Sequence, residues 1–419
     1  MKNSFFTSLK KILLLMLSMI TSLWTCACGS DGGSSYGELD LLEQTPQQLD
    51  IEPENDGSSH SYTPLNYTLQ KAVWFTMMDW NELLKNDTQE EFTHNISALL
   101  EKIKETGFNT VYLHIRPYNA AYYRSELFPL TTLMTGEYDC LKLTLDKAHE
   151  LGLSVHGWIN PLRCGNDMEM EEMDSSYTVK KWYDDKADSY ICKVGDRWYL
   201  NPAYEDVREF IAEGVGEIVE NYDVDGIHID DYFYPTTGEE FDSEAFEQSE
   251  SSDLTAWRID NIDRMVQGMY EKIKGMDKNV LFGISPQGNM KIDHDTLYAD
   301  VEKWCSNNGY CDYIAPQLYY GFKNESMPFE PTLDNWLETA VAVKPVAGIC
   351  TYKIGKEDKW AGSGIDEWVN DSHIPSREGK MVLEKGCSLA VYSVGSLFDD
   401  EQQEELTMLR EVLTQEDEE

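Results

Sequence analysis

The chain has 419 residues, enough for a large core and one to three domains. Its 41% hydrophobic and 26% charged content is ordinary for a globular protein. A formal charge of -42 repels nucleic acid and other anionic polymers, which removes nucleic-acid binding from the function classes to consider.

The first residues read as an export signal. Lys2, Lys10 and Lys11 form a positive region, and "ILLLMLSMI" (Ile12 to Ile20) is an apolar run too short for an ordinary membrane span. The run ends in "LWTCACGS", where Cys28 follows Ala27 and precedes Gly29-Ser30. This resembles the lipobox of bacterial lipoproteins, which implies a signal peptide over 1–27 and lipidation of Cys28. It departs from the usual form in Thr25 and Cys26, and secretion without lipid is the alternative. Two or more acyl chains would anchor the protein stably. The expected location is therefore the outer face of the bacterial cell membrane. From Gly29 to about Gln70 there are eight acids and no Lys or Arg, among Gly, Ser, Pro and Gln. Residues 28–70 are expected to be a disordered acidic linker, and a tether of that length reaches roughly 35 Å.

From Lys71 a new pattern runs to the C-terminus, and 71–419 is taken as one catalytic domain. The β-branched and aromatic run "AVWFTMM" is a strand. "EEFTHNISALLEKIKETG" has helical spacing and stops at Gly107. "TVYLHIRP", "SVHGWINP", "DGIHIDDY", "VLFGISPQGN", "CDYIAPQLYYGF", "PVAGICTYKIG" and "SLAVYSVGSLF" are the later strands, each preceded by a helical segment. Eight strands alternating with eight helices predict an α/β fold, a (β/α)8 barrel. A doubly wound open sheet is the second choice, disfavoured because no Gly-rich loop follows the first strand. Long loops over about 162–201 and 236–252 suit a cleft at the strands' C-terminal ends.

Polar residues gather at those ends. The second strand brings His114 and Arg116, the third Trp158 and Asn160, the fifth Ser285 and Gln287, the sixth Gln317 and Tyr319. In the fourth, "GIHIDDYFYP", alternation turns Ile227 and Ile229 outward and His228 and Asp230 inward. A buried His or Asn is often a satisfied core residue, but agreement among five strands points to a polar pocket. Asp230 is the main catalytic candidate, kept ionised by Arg116. Asp231 is the second. Regular alternation turns it away from the pocket, and a bulge would bring it in. Arg116, His114, Asn160, His228, Tyr232, Gln287, Gln317 and Tyr319 are candidate substrate contacts, and Trp158 and Tyr320 are stacking candidates. Aromatic residues, 12% of the chain with 11 Trp and 24 Tyr, suit stacking on sugar rings as well as core packing. No cofactor motif is present. The first strand lacks the His-x-His of metal-dependent barrel hydrolases, so neither cofactor nor metal is expected.

The segments "GFNTVYLHIRP", "YRSELFP", "LGLSVHGWINP", "YLNPAYEDVREFI" and "YDVDGIHIDDYFYP" resemble the glycosyl-hydrolase-like family 10 proteins, which are distinct from family 10 xylanases. The resemblance covers about 71–398. It implies a barrel glycosidase acting on an oligo- or polysaccharide, in some members bacterial cell-wall glycan. Such chemistry needs two carboxyl groups, about 5–5.5 Å apart for retention or 6.5–9.5 Å for inversion. Besides Asp230, the candidates are Asp231, Glu239, Glu240, Asp242, Asp293 and Glu325. A 2-acetamido group on the substrate could instead supply the nucleophile. The rival of a different class is a carbohydrate-binding lipoprotein that has lost catalysis. Seven cysteines follow Cys28. Cys164–Cys192 and Cys305–Cys311 are conceivable disulfides, with buried thiols as the alternative.

Overall fold

Local signals start and stop the elements where the pattern predicts. Thr88 caps the helix Gln89–Thr106 in a capping box with Glu91, and Gly107 ends it at φ 104°, a left-handed position that glycine fills without strain. The computed structural model describes residues 62–415, apart from 85–87, 135 and 186–188. The expected signal peptide, Cys28 and the linker as far as residue 61 lie outside the described residues.

The strands are β1 (Lys71–Phe75), β2 (Thr110–Arg116), β3 (Ser154–Ile159), β4 (Ile191–Val194), β5 (Arg197–Leu200), β6 (Gly226–Ile229), β7 (Leu281–Ile284), β8 (Tyr313–Ile314), β9 (Lys344–Cys350) and β10 (Ser388–Tyr392). Eight of them close a parallel barrel in the order β1-β10-β9-β8-β7-β6-β3-β2. The last strand closes on the first, with Val73 opposite Val391. This is the predicted TIM barrel. Strands β4 and β5 form a separate antiparallel hairpin inside the long loop after β3, together with helices Asp167–Glu172 and Thr178–Asp184.

Apolar strand residues such as Val111, Ile227 and Ile229 pack outward against the helices. The barrel interior is aromatic: Trp74, Tyr112, Trp158 and Tyr313 share one cluster. Within it, the Trp74 indole donates to His228 Nε2 at 3.2 Å, so the His228 proton sits on Nδ1 and faces Tyr313 Oη at 2.9 Å. His156 Nδ1 meets the same hydroxyl at 2.8 Å. Burial holds both rings neutral, His156 at a pKa of about 4.

The N-terminal end of the barrel is closed by a clamp on Asp225. Its carboxylate accepts from Tyr62 Oη at 2.6 Å, Leu65 N at 2.5 Å and Val155 N at 2.6 Å, and pairs with His149 at 3.0 Å. Asn66 and Tyr67 donate to the carbonyls of Asn279 and Gly152. The folded domain thus begins by Tyr62, earlier than the boundary at 71 drawn from composition. Polar residues 62–70 are ordered by hydrogen bonds, which composition does not register. All seven described cysteines are free, so neither conceivable disulfide is present.

Candidate active site

Strand β6 ends at Ile229, so the inside-outside alternation stops before the acids. Asp230 and Asp231 sit on the turn that follows, and both face the barrel mouth. This corrects the outward placement of Asp231, which assumed that the strand continued. Its Oδ1 accepts from Gln317 Nε2 at 3.1 Å, and Gln287 also donates toward the carboxylate. Gln287 and Gln317 bridge to each other and extend the barrel sheet past β7 and β8.

Asp230 is 5% exposed. Asn160, fully buried, donates from Nδ2 to Asp230 Oδ1, and Tyr232 N approaches the same oxygen at 3.4 Å. Asn160 Oδ1 in turn faces His114 Nε2 at 3.0 Å. Because that oxygen can only accept, His114 carries its proton on Nε2. Burial brings the His114 pKa down to about 3, and Trp158 covers its ring at 3.6 Å. The result is a neutral donor chain, His114 to Asn160 to Asp230.

Burial pushes the Asp230 carboxyl well above the usual range, and the charge of Asp231 adds to it. Arg163, Tyr232 N and Trp158 act the other way. Burial also raises Asp231, countered by the two glutamine amides and Arg163. Asp231 is half-buried, whereas Asp230 is enclosed. Two neighbouring acids therefore sit in environments that pull their protonation apart.

The cation of the site is Arg163, not Arg116. A register shift between His114 and Arg116 in β2 turns Arg116 out of the barrel, where it lies over Phe128 at 3.9 Å and beside Gly214 of the helix Glu205–Asn221. Arg163 instead stacks over Tyr232 at 3.9 Å and Tyr118 at 4.6 Å, and its backbone bridges to Tyr199. Its one sequence signal is a base in an acidic chain, three residues beyond Asn160.

Asp230, Asp231, Asn160, His114, Trp158, Tyr232, Gln287, Gln317 and Tyr319 come together at the mouth. His228 does not. It is fully buried in the interior network with both ring nitrogens engaged, so it supports the site from below. Tyr320 lies against Gly288, near Asp293. Tyr319 belongs to an aromatic wall that sequence reasoning did not foresee, 5.7 Å from Tyr392 and 6.0 Å from Tyr352.

The other acids separate cleanly. Asp242 is locked by buried Arg258, at 2.6 and 2.8 Å, and by Tyr234. Glu325 accepts from Ser363 N, and Glu239 and Glu240 are exposed on a short turn. Asp293 is fully buried behind Gln287, whose N–H it accepts at 3.1 Å. Its raised pKa comes from burial first and Asp231 second. Among the described residues no three His, Cys, Asp or Glu side chains converge as a metal site would require.

Known proteins resemble the chain in sequence and in fold. The family described as "Glycosyl hydrolase-like 10" matches residues 70–362. The chain is 30% identical over 333 residues to glycosyl hydrolase YngK of Bacillus subtilis, covering 71% of this chain and 64% of that protein. It therefore spans a little under two thirds of that relative's length. It is 27% identical over 384 residues to glycosyl hydrolase DigH of Escherichia coli K12, covering 81% of this chain and 85% of that one. Among solved structures, the glycoside hydrolase domain of PgaB (BpsB) from Bordetella bronchiseptica superposes with a TM-score of 0.51. That likeness spans 83% of this chain and 99% of that domain at 12% identity, and concerns the fold. With a family model matching most of its length, the chain belongs to the glycosyl hydrolase-like 10 family.

Proposed function

We propose that the protein is an exported, lipid-anchored glycoside hydrolase that cleaves O-glycosidic bonds within a polysaccharide, with bacterial cell-wall glycan as the first substrate to test. The observation that carries this is the pair at the end of β6: enclosed Asp230 beside half-buried Asp231, facing an aromatic mouth.

The mechanism follows from the two environments. Asp230 holds its proton further up the pH scale and serves as general acid to the leaving oxygen. Asp231, stabilised as an anion by Gln317 and Gln287, is the base or nucleophile on the sugar. The charge on Arg163 keeps both carboxyls from rising too far. A protein that only held carbohydrate would have no use for two adjacent carboxyls both raised by burial, which disfavours the non-catalytic alternative. The direct test is release of reducing ends from peptidoglycan glycan, chitin oligomers and α- and β-glucans. Failure on all of them would remove the hydrolase assignment. Anchoring rests on "LWTCACGS", and Cys28→Ser should shift the protein from the membrane to the soluble fraction. An unchanged distribution would remove the anchor.

A further inference from the structure

Trp360 is 71% exposed, although a tryptophan gains more than most side chains by leaving water. It stands on the loop after β9, at the mouth end of the barrel, and that loop cannot easily fold it down. Trp360 N donates to buried Asp358 Oδ1 at 3.3 Å. Asp358 is pinned by Lys353 Nζ at 2.7 Å, and the same ammonium donates to the carbonyl of Tyr319 at 2.7 Å. The loop is laced to the one after β8 by Glu325 N to Ala361 O at 3.0 Å, Ser363 N to Glu325 Oε2 at 2.9 Å, and Lys323 N to Glu367 Oε2 at 2.7 Å. Trp360 thus stands on a loop tied, through Asp358 and Lys353, to the backbone of Tyr319 in the aromatic wall.

Among the described residues, a second well-exposed aromatic of the mouth is Tyr232, 43% exposed and backed by the Arg163 guanidinium. It follows β6, while Trp360 follows β9, and β7 and β8 stand between them in the barrel. Gln287 and Gln317 follow the two strands of that interval, and the carboxylate pair they serve follows β6 beside Tyr232. Exposed aromatic faces on two separated loops of the mouth fit a chain of rings rather than a single sugar.

We propose that Trp360 is a sugar-stacking platform remote from the bond cleaved, so that the substrate is a glycan of several units held from Tyr232 across Asp230 and Asp231 to Trp360. This rests on the glycoside hydrolase assignment. The test uses Asp230→Asn to stop turnover, with and without Trp360→Ala, on chitin or peptidoglycan glycan strands and on chitobiose. Trp360→Ala should weaken polymer binding roughly tenfold, as loss of one aromatic anchor does, and leave chitobiose binding unchanged. Trp360→Tyr should restore most of the loss. Equal polymer binding with and without Trp360, or equal losses on polymer and chitobiose, would overturn the platform. The two proposals fail separately. A protein with Asp230 intact that releases no reducing ends but needs Trp360 to hold polymer is a binder with this platform. One that hydrolyses polymer equally well as Trp360→Ala is a hydrolase without it.

Discussion

Asn160 joins His114 to Asp230: its amide nitrogen donates to the acid while its carbonyl accepts from the imidazole. Both neighbours are buried, so the amide cannot flip without losing both bonds. Burial raises the Asp230 carboxyl, and a hydrogen bond favours the charged form that accepts it, so the Asn160 amide should work against that rise. Asn160→Ala should raise the Asp230 pKa further. Since Asp230 must hold a proton to act, the alkaline limb of kcat/KM should move to higher pH, with kcat lower by about 10- to 100-fold from lost positioning. A lower kcat with an unmoved limb would assign Asn160 a merely structural role.

Arg163→Met makes the same test from the electrostatic side. The guanidinium lowers both carboxyls and backs the exposed Tyr232 ring. Its removal should move the alkaline limb up and raise KM. An unmoved limb would show that the guanidinium does not act on the carboxyl that supplies the proton.

Asp230 is also a stability liability. Its folded pKa lies above the unfolded value of about 3.9, so the native state binds the proton more tightly. The stability this brings is present below the unfolded pKa and is lost as pH rises through the folded one. Asp230→Asn should therefore melt higher than the parent at neutral pH, with the gap shrinking toward pH 4. A variant that melts lower at pH 7 would mean that Asp230 is a paired structural anion.

At the opposite end of the barrel, Asp225 should behave in the contrary way. Its carboxylate takes four hydrogen-bond partners, each worth about 1.5–3 kcal/mol when one side is charged. Asp225→Ala should lower the melting temperature sharply and leave kcat of the folded fraction unchanged. A selective loss of kcat would show that the clamp reaches the chemistry.

Much of the barrel could be read from the chain because period-2 runs such as "TVYLHIRP" alternate with helices closed by glycine. Asn160, Asp230, Gln287 and Gln317 were legible as polar residues just past strand ends, where the barrel mouth lies. What escaped depends on interrupted alternation. The irregularity in β2 removed Arg116 from the site, and the early end of β6 put Asp231 into it. Arg163 and Trp360 lie on loops, where no period fixes direction. His228 was given correctly as inward-facing but too high, since alternation gives a side and not a depth. Residues 62–70 look like linker because their order comes from contacts with Asp225, Asn279 and Gly152, far along the sequence.

The most direct test is reducing-end release by the parent, Asp230→Asn and Asp231→Asn on the best glycan found, with folding checked by melting. Both single variants should be folded and slower in kcat by on the order of 10²–10⁴-fold, with the alkaline limb of the pH profile missing in Asp230→Asn. A folded Asp230→Asn that keeps the parent's kcat and pH profile would contradict the account.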